Sequence, residues 1–551
     1  MGVYLDIFSD LYFVLIHSIE ITSKLTQISG NYDVAIIGGG LAGLTLALQL
    51  QQQSPGLSIV VLERSHLPAP SAAHKVGEST VEIGAHYLSE TLGLKTLLEE
   101  TQLRKFGFRF FFGSGNHKDL SAADELGASD YLDAPSYQLD RGRLESDLAE
   151  IALSRGIDIR DGCRVTTTCL SDGNSHHSLE YVKSADIHTI HCQWMVDASS
   201  RFSVLKRKLD LSLPGKHKVN AAWLRLDSKV SIDDWSTDSN WKTRCNVAPR
   251  RLSTNHLMGS GYWAWIIPLV DDRTSIGLVV DPDIHEFSSC NTFDRLCAWL
   301  DKEQPMLAEA VSSNASDLLD FKRLKHLSHD SQQLWSADRW ALTGEAGVFA
   351  DPYYSPGSDF IAMSNTFICD LIINRSKQPG KLALYAEIYQ RMYKSFFSNT
   401  MSLYQNQYPG LGDTRLMVVK TIWDYAYYWA VLAWMCFREV LTDINFIRSI
   451  EAGLVRTAEL NATLQAVFRK RAAERRSSAG KGRFFDQREI PVMAELNAAL
   501  LHPPADIHKE FTDNCKRLEG LSESLLTLLN QTSNSGQPDC SELGDLRRRF
   551  G

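Results

Sequence analysis

Regular patterning of apolar and polar positions begins at residues 33–37. Asp33-Val34-Ala35-Ile36-Ile37 is a short apolar run that ends in Gly38-Gly39-Gly40-Leu41-Ala42-Gly43. Residues 44–52 carry helical spacing, and a second apolar run at 58–62 closes on Glu63 and Arg64. Strand, tight turn, helix and strand in that order predict a βαβ unit. Residues 221–226, 257–270 and 275–280 are rich in β-branched and aromatic side chains and read as strands of a second sheet. From Thr366 onward the pattern is mostly helical. Residues 422–441 hold seven aromatics, Trp423, Tyr425, Tyr427, Tyr428, Trp429, Trp434 and Phe437. Their uncharged stretch, 425–437, is shorter than the roughly 20 apolar residues that span a bilayer. It reads as a buried helix; a substrate-pocket wall, or a surface for a lipid or carrier-bound partner, is the alternative. Residues 3–21 are apolar but interrupted by Asp6, Asp10 and Glu20, which predicts an added amphipathic helix rather than a signal peptide.

The glycines have distinct tasks. Gly38 permits the turn, Gly40 lets backbone approach a pyrophosphate, and Gly43 lets the helix pack on the strand. The amides at the helix start, from Ala42 on, face the phosphates. Glu63 is placed to accept hydrogen bonds from a ribose. Bulk properties narrow the partners. The chain has 551 residues, 44% of them hydrophobic and 22% charged, with a net charge of −9. That excludes the usual basic nucleic-acid binder. Ten cysteines occur without a C-x-x-C pair, so neither a metal site nor a disulfide framework is expected, and a cytoplasmic protein is. No transmembrane span is expected, which leaves peripheral membrane contact open.

Three later segments favour FAD over NAD. Gln138-Leu139-Asp140-Arg141-Gly142-Arg143 introduces a helix, and Trp194-Met195-Val196-Asp197-Ala198-Ser199 is an apolar strand ending in an acid. Trp340-Ala341-Leu342-Thr343-Gly344-Glu345 repeats that logic. They resemble the returning segments of the aromatic-hydroxylase type of FAD fold, which usually carries Asp where this chain has Glu345. The expected architecture is α/β: a Rossmann-type FAD-binding domain (31–215 and 320–375) and a β-sheet substrate-covering domain (216–319). An extension (1–30), a helical C-terminal region (376–530) and a mobile tail (531–551) complete it.

Two motifs add chemistry. Trp263-Ala264-Trp265-Ile266-Ile267-Pro268 puts two indoles on one face of a strand. Phe349-Ala350-Asp351-Pro352-Tyr353-Tyr354-Ser355-Pro356-Gly357 ends in a turn whose Gly357 and Ser358 amides can hold an anion. Together with Gly77-Glu78-Ser79-Thr80 and Lys105, these resemble the flavin-dependent halogenases, over about residues 33–370. Lys105 is followed by Phe106, Phe108, Phe110, Phe111 and Phe112. That run argues for burial, against the plainer reading of a surface lysine on a strand edge.

The resemblance implies a function. Reduced FAD from a separate flavin reductase, O2 and chloride or bromide would yield hypohalous acid. Passing Trp263, Trp265, Ile267, Pro268, Phe349 and Pro352, it would reach Lys105 and halogenate an electron-rich aromatic in specialised metabolism. Ser355, Pro356, Gly357 and Ser358 would form the halide turn. Gly77, Glu78, Ser79, Arg141, Asp197, Gly344 and Glu345 would join the glycine loop in holding FAD. The indole-directed branch has glutamate where this chain has Tyr354, so a phenol or pyrrole, free or bound to a carrier or peptide, is the expected substrate. An FAD aromatic monooxygenase and an isoprenoid dehydrogenase or saturase are the competing readings; the first needs neither the Trp pair nor Lys105.

Overall fold

The computed structural model of the chain describes residues 27–70, 77–171 and 175–531. The predicted helix at 3–21 and all but the first residue of the predicted tail lie outside them. The predicted βαβ unit is present as β1 (Gln27–Ile37), α1 (Leu41–Gln53) and β2 (Ile59–Leu62). β1 runs parallel to β2 on one side and to strand Asp186–Asp197 on the other. Val34, Ala35 and Ile36 are fully buried, as a parallel strand covered on both faces requires. α1 buries every residue from Leu41 to Leu50, so it has no polar face along that stretch.

Strand Asp158–Arg160 extends the sheet beyond β2, and His177–Lys183 and Arg164–Cys169 extend it beyond Asp186–Asp197. The late strand Trp340–Leu342 returns to pair in parallel with Asp186–Asp197. This is the chain return that the repeated strand-and-acid pattern predicts.

The second sheet has eight strands. Its centre is as expected: Asn220–Leu226, Thr274–Val280, β4 (Tyr262–Pro268) and Thr254–Gly259 lie side by side. Its edges are not confined to 216–319. β3 (Phe108–Phe112) and Asp124–Gly127 come from inside the predicted nucleotide domain, and Phe484–Asp486 comes from the helical region. The phenylalanine run explains the first of these. Phe108, Phe110 and Phe112 enter the main core while Phe111 enters the core on the sheet's other face. A strand with apolar side chains on both sides belongs inside a two-sided sheet. β4 is divided in the same way, with Trp263, Trp265 and Ile267 on one side and Tyr262, Ala264 and Ile266 on the other.

The helices that follow the motif turn include α2 (Gly357–Asp370), α3 (Pro379–Ser402), α4 (Thr414–Tyr427) and α5 (Glu451–Ala472). The aromatic segment continues α4 through a π-helical turn, Tyr428–Ala433. A buried ion pair, Lys420 to Asp424 at 2.8 Å, bonds through Gln465 and fastens α4 to α5. Among the described residues no helix is long and apolar enough to cross a membrane.

Candidate active site

Two cavities meet in the middle of the molecule. The larger runs from the start of α1 to the motif turn. Gly40, Ala42, Gly77, Glu78, Ser79, Arg141, Gly344 and Glu345 line it. So do Trp263, Trp265, Ile267, Phe349, Pro352 and Ser355 to Ser358. Residues predicted from six separate stretches of sequence are thus brought to one cleft.

The groups there suit a dinucleotide. Gly38 has φ +111°, and a Cβ on it would meet the Ala198 carbonyl oxygen at 2.5 Å, so only glycine fits the turn. A Cβ on Gly43 would strike the Gly38 carbonyl. Gly40 gives α1 no side-chain cap, Glu145 accepts from the Leu41 amide at 3.2 Å, and the backbone of this first turn, Gly40 to Ala42, lines the cavity. The indole Nε1 of Trp223, whose residue also lines the cavity, is buried without a hydrogen-bond partner. FAD supplies both the phosphates and the polar atoms that such groups need.

Six predicted residues line neither cavity: Gly38 and Gly43, which shape the turn, and Glu63, Arg64, Asp197 and Pro268. Glu63 accepts from the amides of Gly39 (2.7 Å) and Ser65 (2.8 Å) and so braces the glycine turn. Arg64 follows it, exposed. The buried carboxylate of Asp197 accepts from the amides of Ser199 (2.9 Å) and Leu205 (2.7 Å). Pro268 ends β4. Glu345 bonds Ser200 and lies 3.6 Å from Arg201, a cavity residue that sequence reasoning missed.

Lys105 sits in the short connection before β3, 3% exposed. Its Nζ donates to Ser79 Oγ and to the Thr80 carbonyl, both at 2.9 Å, and lies 3.3 Å from the centre of the Phe108 ring. Ser79 Oγ is also 2.9 Å from Thr254 Oγ1, and both residues line the larger cavity. Lys105 itself lines the second cavity, of about 280 Å³, with Tyr354, Glu82, Asp359, Tyr425 and Tyr428. Pro356 and Phe360 line both. The lysine is therefore at the junction.

Burial dominates the electrostatics. It pulls the Lys105 ammonium from 10.5 down to about 7, against the opposing pull of Glu82 and Asp359. Burial likewise raises Asp359 to about 8 and raises Glu82 above the usual carboxylate range. Asp359 accepts from the Gly84 amide and the Tyr428 hydroxyl, both at 2.8 Å. His256, on the flavin side, is held neutral, down to about 3, by burial and then by Lys105. Sequence reasoning missed Glu82, Asp359 and His256 as site residues. Glu82 had one signal, its place three residues beyond Ser79, and Asp359 another, its place in the first turn of α2.

The two indoles are fixed. Their ring centres are 5.6 Å apart; Trp263 Nε1 donates to Tyr408 OH (2.8 Å) and Trp265 Nε1 to Ser275 Oγ (3.2 Å). Tyr408 in turn donates to Asp351, which His217 also touches. The motif turn is strained: Tyr354 has φ +65° and Ser355 +51°. Two adjacent non-glycine residues in the left-handed region mark a site held by its surroundings.

A family model described as an FAD binding domain matches residues 31–271. Flavin-dependent halogenase chlA of Dictyostelium discoideum is 27% identical over 444 residues, 74% of this chain and 71% of that protein. The 1H-pyrrole-2-carbonyl-(peptidyl-carrier protein) brominase of Pseudoalteromonas luteoviolacea (strain 2ta16) is 24% identical over 348 residues, 62% of this chain and 77% of that protein. The fold is shared with halogenase PltM, solved in complex with phloroglucinol and FAD. The TM-score is 0.67 at 18% identity, over 89% of this chain and 98% of that one. The expected α/β architecture and FAD cofactor are borne out, and this chain, an FAD-dependent oxidoreductase, is similar in sequence and fold to the flavin-dependent halogenases.

Proposed function

We propose that this protein halogenates an electron-rich aromatic ring, a phenol or a pyrrole, with Lys105 as the residue that presents the halogen. The observation that carries the proposal is the position of Lys105: bonded to the wall of the FAD cavity through Ser79 and lining the cavity beyond it. When bound, reduced FAD supplies the O2 activation by which chloride or bromide is oxidised to hypohalous acid. Gly40, Ala42, Arg141, Gly344 and Glu345 would hold it, and the Gly357 and Ser358 amides would hold the halide.

The chain's own residues do the rest. Trp263 and Trp265 keep the aromatic substrate out of the FAD cavity while a three-atom acid can pass. The Lys105 ammonium donates to the hypohalite oxygen and makes water the leaving group. The ring attacks the halogen, a carbon–halogen bond forms, the halogen–oxygen bond breaks, and the ring proton departs. Of the three carboxyl groups among the described lining residues, Asp424 is paired with Lys420, which leaves Glu82 and Asp359. In their ionised form they serve the proton-accepting need that Tyr354, in place of a glutamate, cannot meet. A ring activated by its own hydroxyl or ring nitrogen suits this arrangement.

Pyrrole and carrier-bound acceptors are named among the relatives, and a separate flavin reductase is the expected electron source. The test is direct. The protein is incubated with FAD, a flavin reductase, NADH, O2 and chloride or bromide, and offered phenols, pyrroles and indoles. A halogen isotope doublet on a phenol or pyrrole is the expected product. A product heavier by one oxygen would replace this reading with a monooxygenase.

A further inference from the structure

The second cavity is uneven along its length. At its closed end Lys105, Glu82, Asp359, Tyr354 and Tyr425 are all buried. At its open end α3, the π-helical turn, the segment before α5 and α5 itself contribute Phe396, Leu403, Leu432, Ile447, Leu454 and Val455. These are half-buried, and Val455 is 53% exposed. The charged groups are thus deep and the apolar ones line the way in. Polar atoms on the outer half are uncharged, Ser395, Asn399 and Thr400 of α3, and Lys105 is the one cation among the described lining residues.

A substrate that fills this space has a polar aromatic head and an apolar tail. We propose that the substrate is a free phenol bearing an alkyl or acyl chain, its ring beside Lys105 and its chain lying along α3 and α5 toward Val455. The proposal rests on the halogenase reading for the chemistry at the head and on the cavity alone for the tail. A phosphate-bearing carrier arm would thread past Leu454 and Leu432 without a cation to meet it. The volume, about 280 Å³, is at the small end of ligand sites and fits a single-ring amphiphile rather than a peptide.

The test separates the two readings. Binding of 4-alkylresorcinols, from ethyl to hexyl, is measured on the full chain loaded with oxidised FAD, without halide or reductant, by tryptophan fluorescence. The expected Kd falls about fourfold with each added methylene. Leu454→Asp and the exposed-site variant Val455→Glu flatten that dependence. A Kd indifferent to chain length overturns the proposal, as does a dependence that survives both variants. Halogenation of the same series is then read. Chain-length-dependent binding with no halogenated product overturns the halogenase reading and sustains the tail site. A ring halogenated only when attached to a carrier protein overturns the free-phenol assignment.

Discussion

Ser79 Oγ stands 2.9 Å from Lys105 Nζ and 2.9 Å from Thr254 Oγ1, so one hydroxyl touches the lysine of one cavity and the wall of the other. This hydroxyl is a polar contact from one chamber to the other. Lys105→Ala should lower halogenation more than a hundredfold, the scale on which a positioned proton donor acts. Oxidation of reduced FAD should remain. Halogen incorporation by mass spectrometry alongside O2 consumption checks both, and equal loss of the two would remove the lysine from its assigned role.

Acidity supplies a second expectation. With Lys105 near 7, a reaction needing the ammonium weakens as pH rises through neutrality. Asp359 raises the Lys105 value, so Asp359→Asn should move the alkaline limb of the kcat/KM profile to lower pH. The Asn side chain keeps an acceptor for the Gly84 amide. A limb that stays in place, or moves up, contradicts the coupling.

The same lysine affects stability. Its folded value, about 7, is depressed below the ordinary 10.5, so between those limits the unfolded chain binds the extra proton. Stability therefore rises with pH across that window, and the burial penalty is complete below about 7. Lys105→Met should raise the melting temperature most at pH 6, and the gain should shrink toward pH 10. Thermal unfolding at both ends decides it, with a gain that grows with pH as the refuting result.

Cofactor binding rests on the glycine turn. Gly40→Val puts a branched side chain where the cavity lining is bare backbone, and should abolish FAD retention in a folded protein. Flavin absorbance after gel filtration, with circular dichroism as the folding control, measures this. Normal flavin content would place the phosphates elsewhere.

In the proposed function Trp263 screens the FAD cavity from the substrate. Trp263→Ala should cost about 3–5 kcal/mol of stability. It should also raise the share of reduced FAD oxidised without halogenated product, because Tyr408 loses its donor and the wall thins. Denaturant unfolding and peroxide release are the readouts. An unchanged coupling ratio would mean that Trp265 alone suffices.

Much of this site was legible before any coordinates. Gly38, Gly43, Trp263, Trp265 and Ser355 announce themselves because each obeys a local constraint: a turn only glycine can make, a face shared by two indoles, a turn before a helix. Lys105 was legible through its neighbours, since five phenylalanines in seven residues cannot all face water. Glu82 and Asp359 were not, because an acid three residues beyond Ser79 and an acid in a helix's first turn are weak signals, and their meeting depends on the packing of Gly84 against Ser358 and Asp359. Glu63 and Asp197 were read as ligands of the cofactor. The structure has them hydrogen-bonded to neighbouring backbone amides, which spacing alone cannot reveal.

The eighth strand of the covering sheet has a bearing on biosynthesis. Phe484–Asp486 pairs in parallel with Asp124–Gly127, and Asp124 accepts from Lys481 and Arg483 in the residues just ahead of it. While the chain is still being translated, the sheet has an open edge on Asp124–Gly127 until the residues through Asp486 have left the ribosome. Nascent chains stalled before that point display unpaired backbone to one another, which is a route to aggregation. Slow translation or chaperone cover over the helical segment would protect yield in heterologous expression. Fusions or truncations that end before residue 487 should be recovered as inclusion bodies rather than as a smaller enzyme.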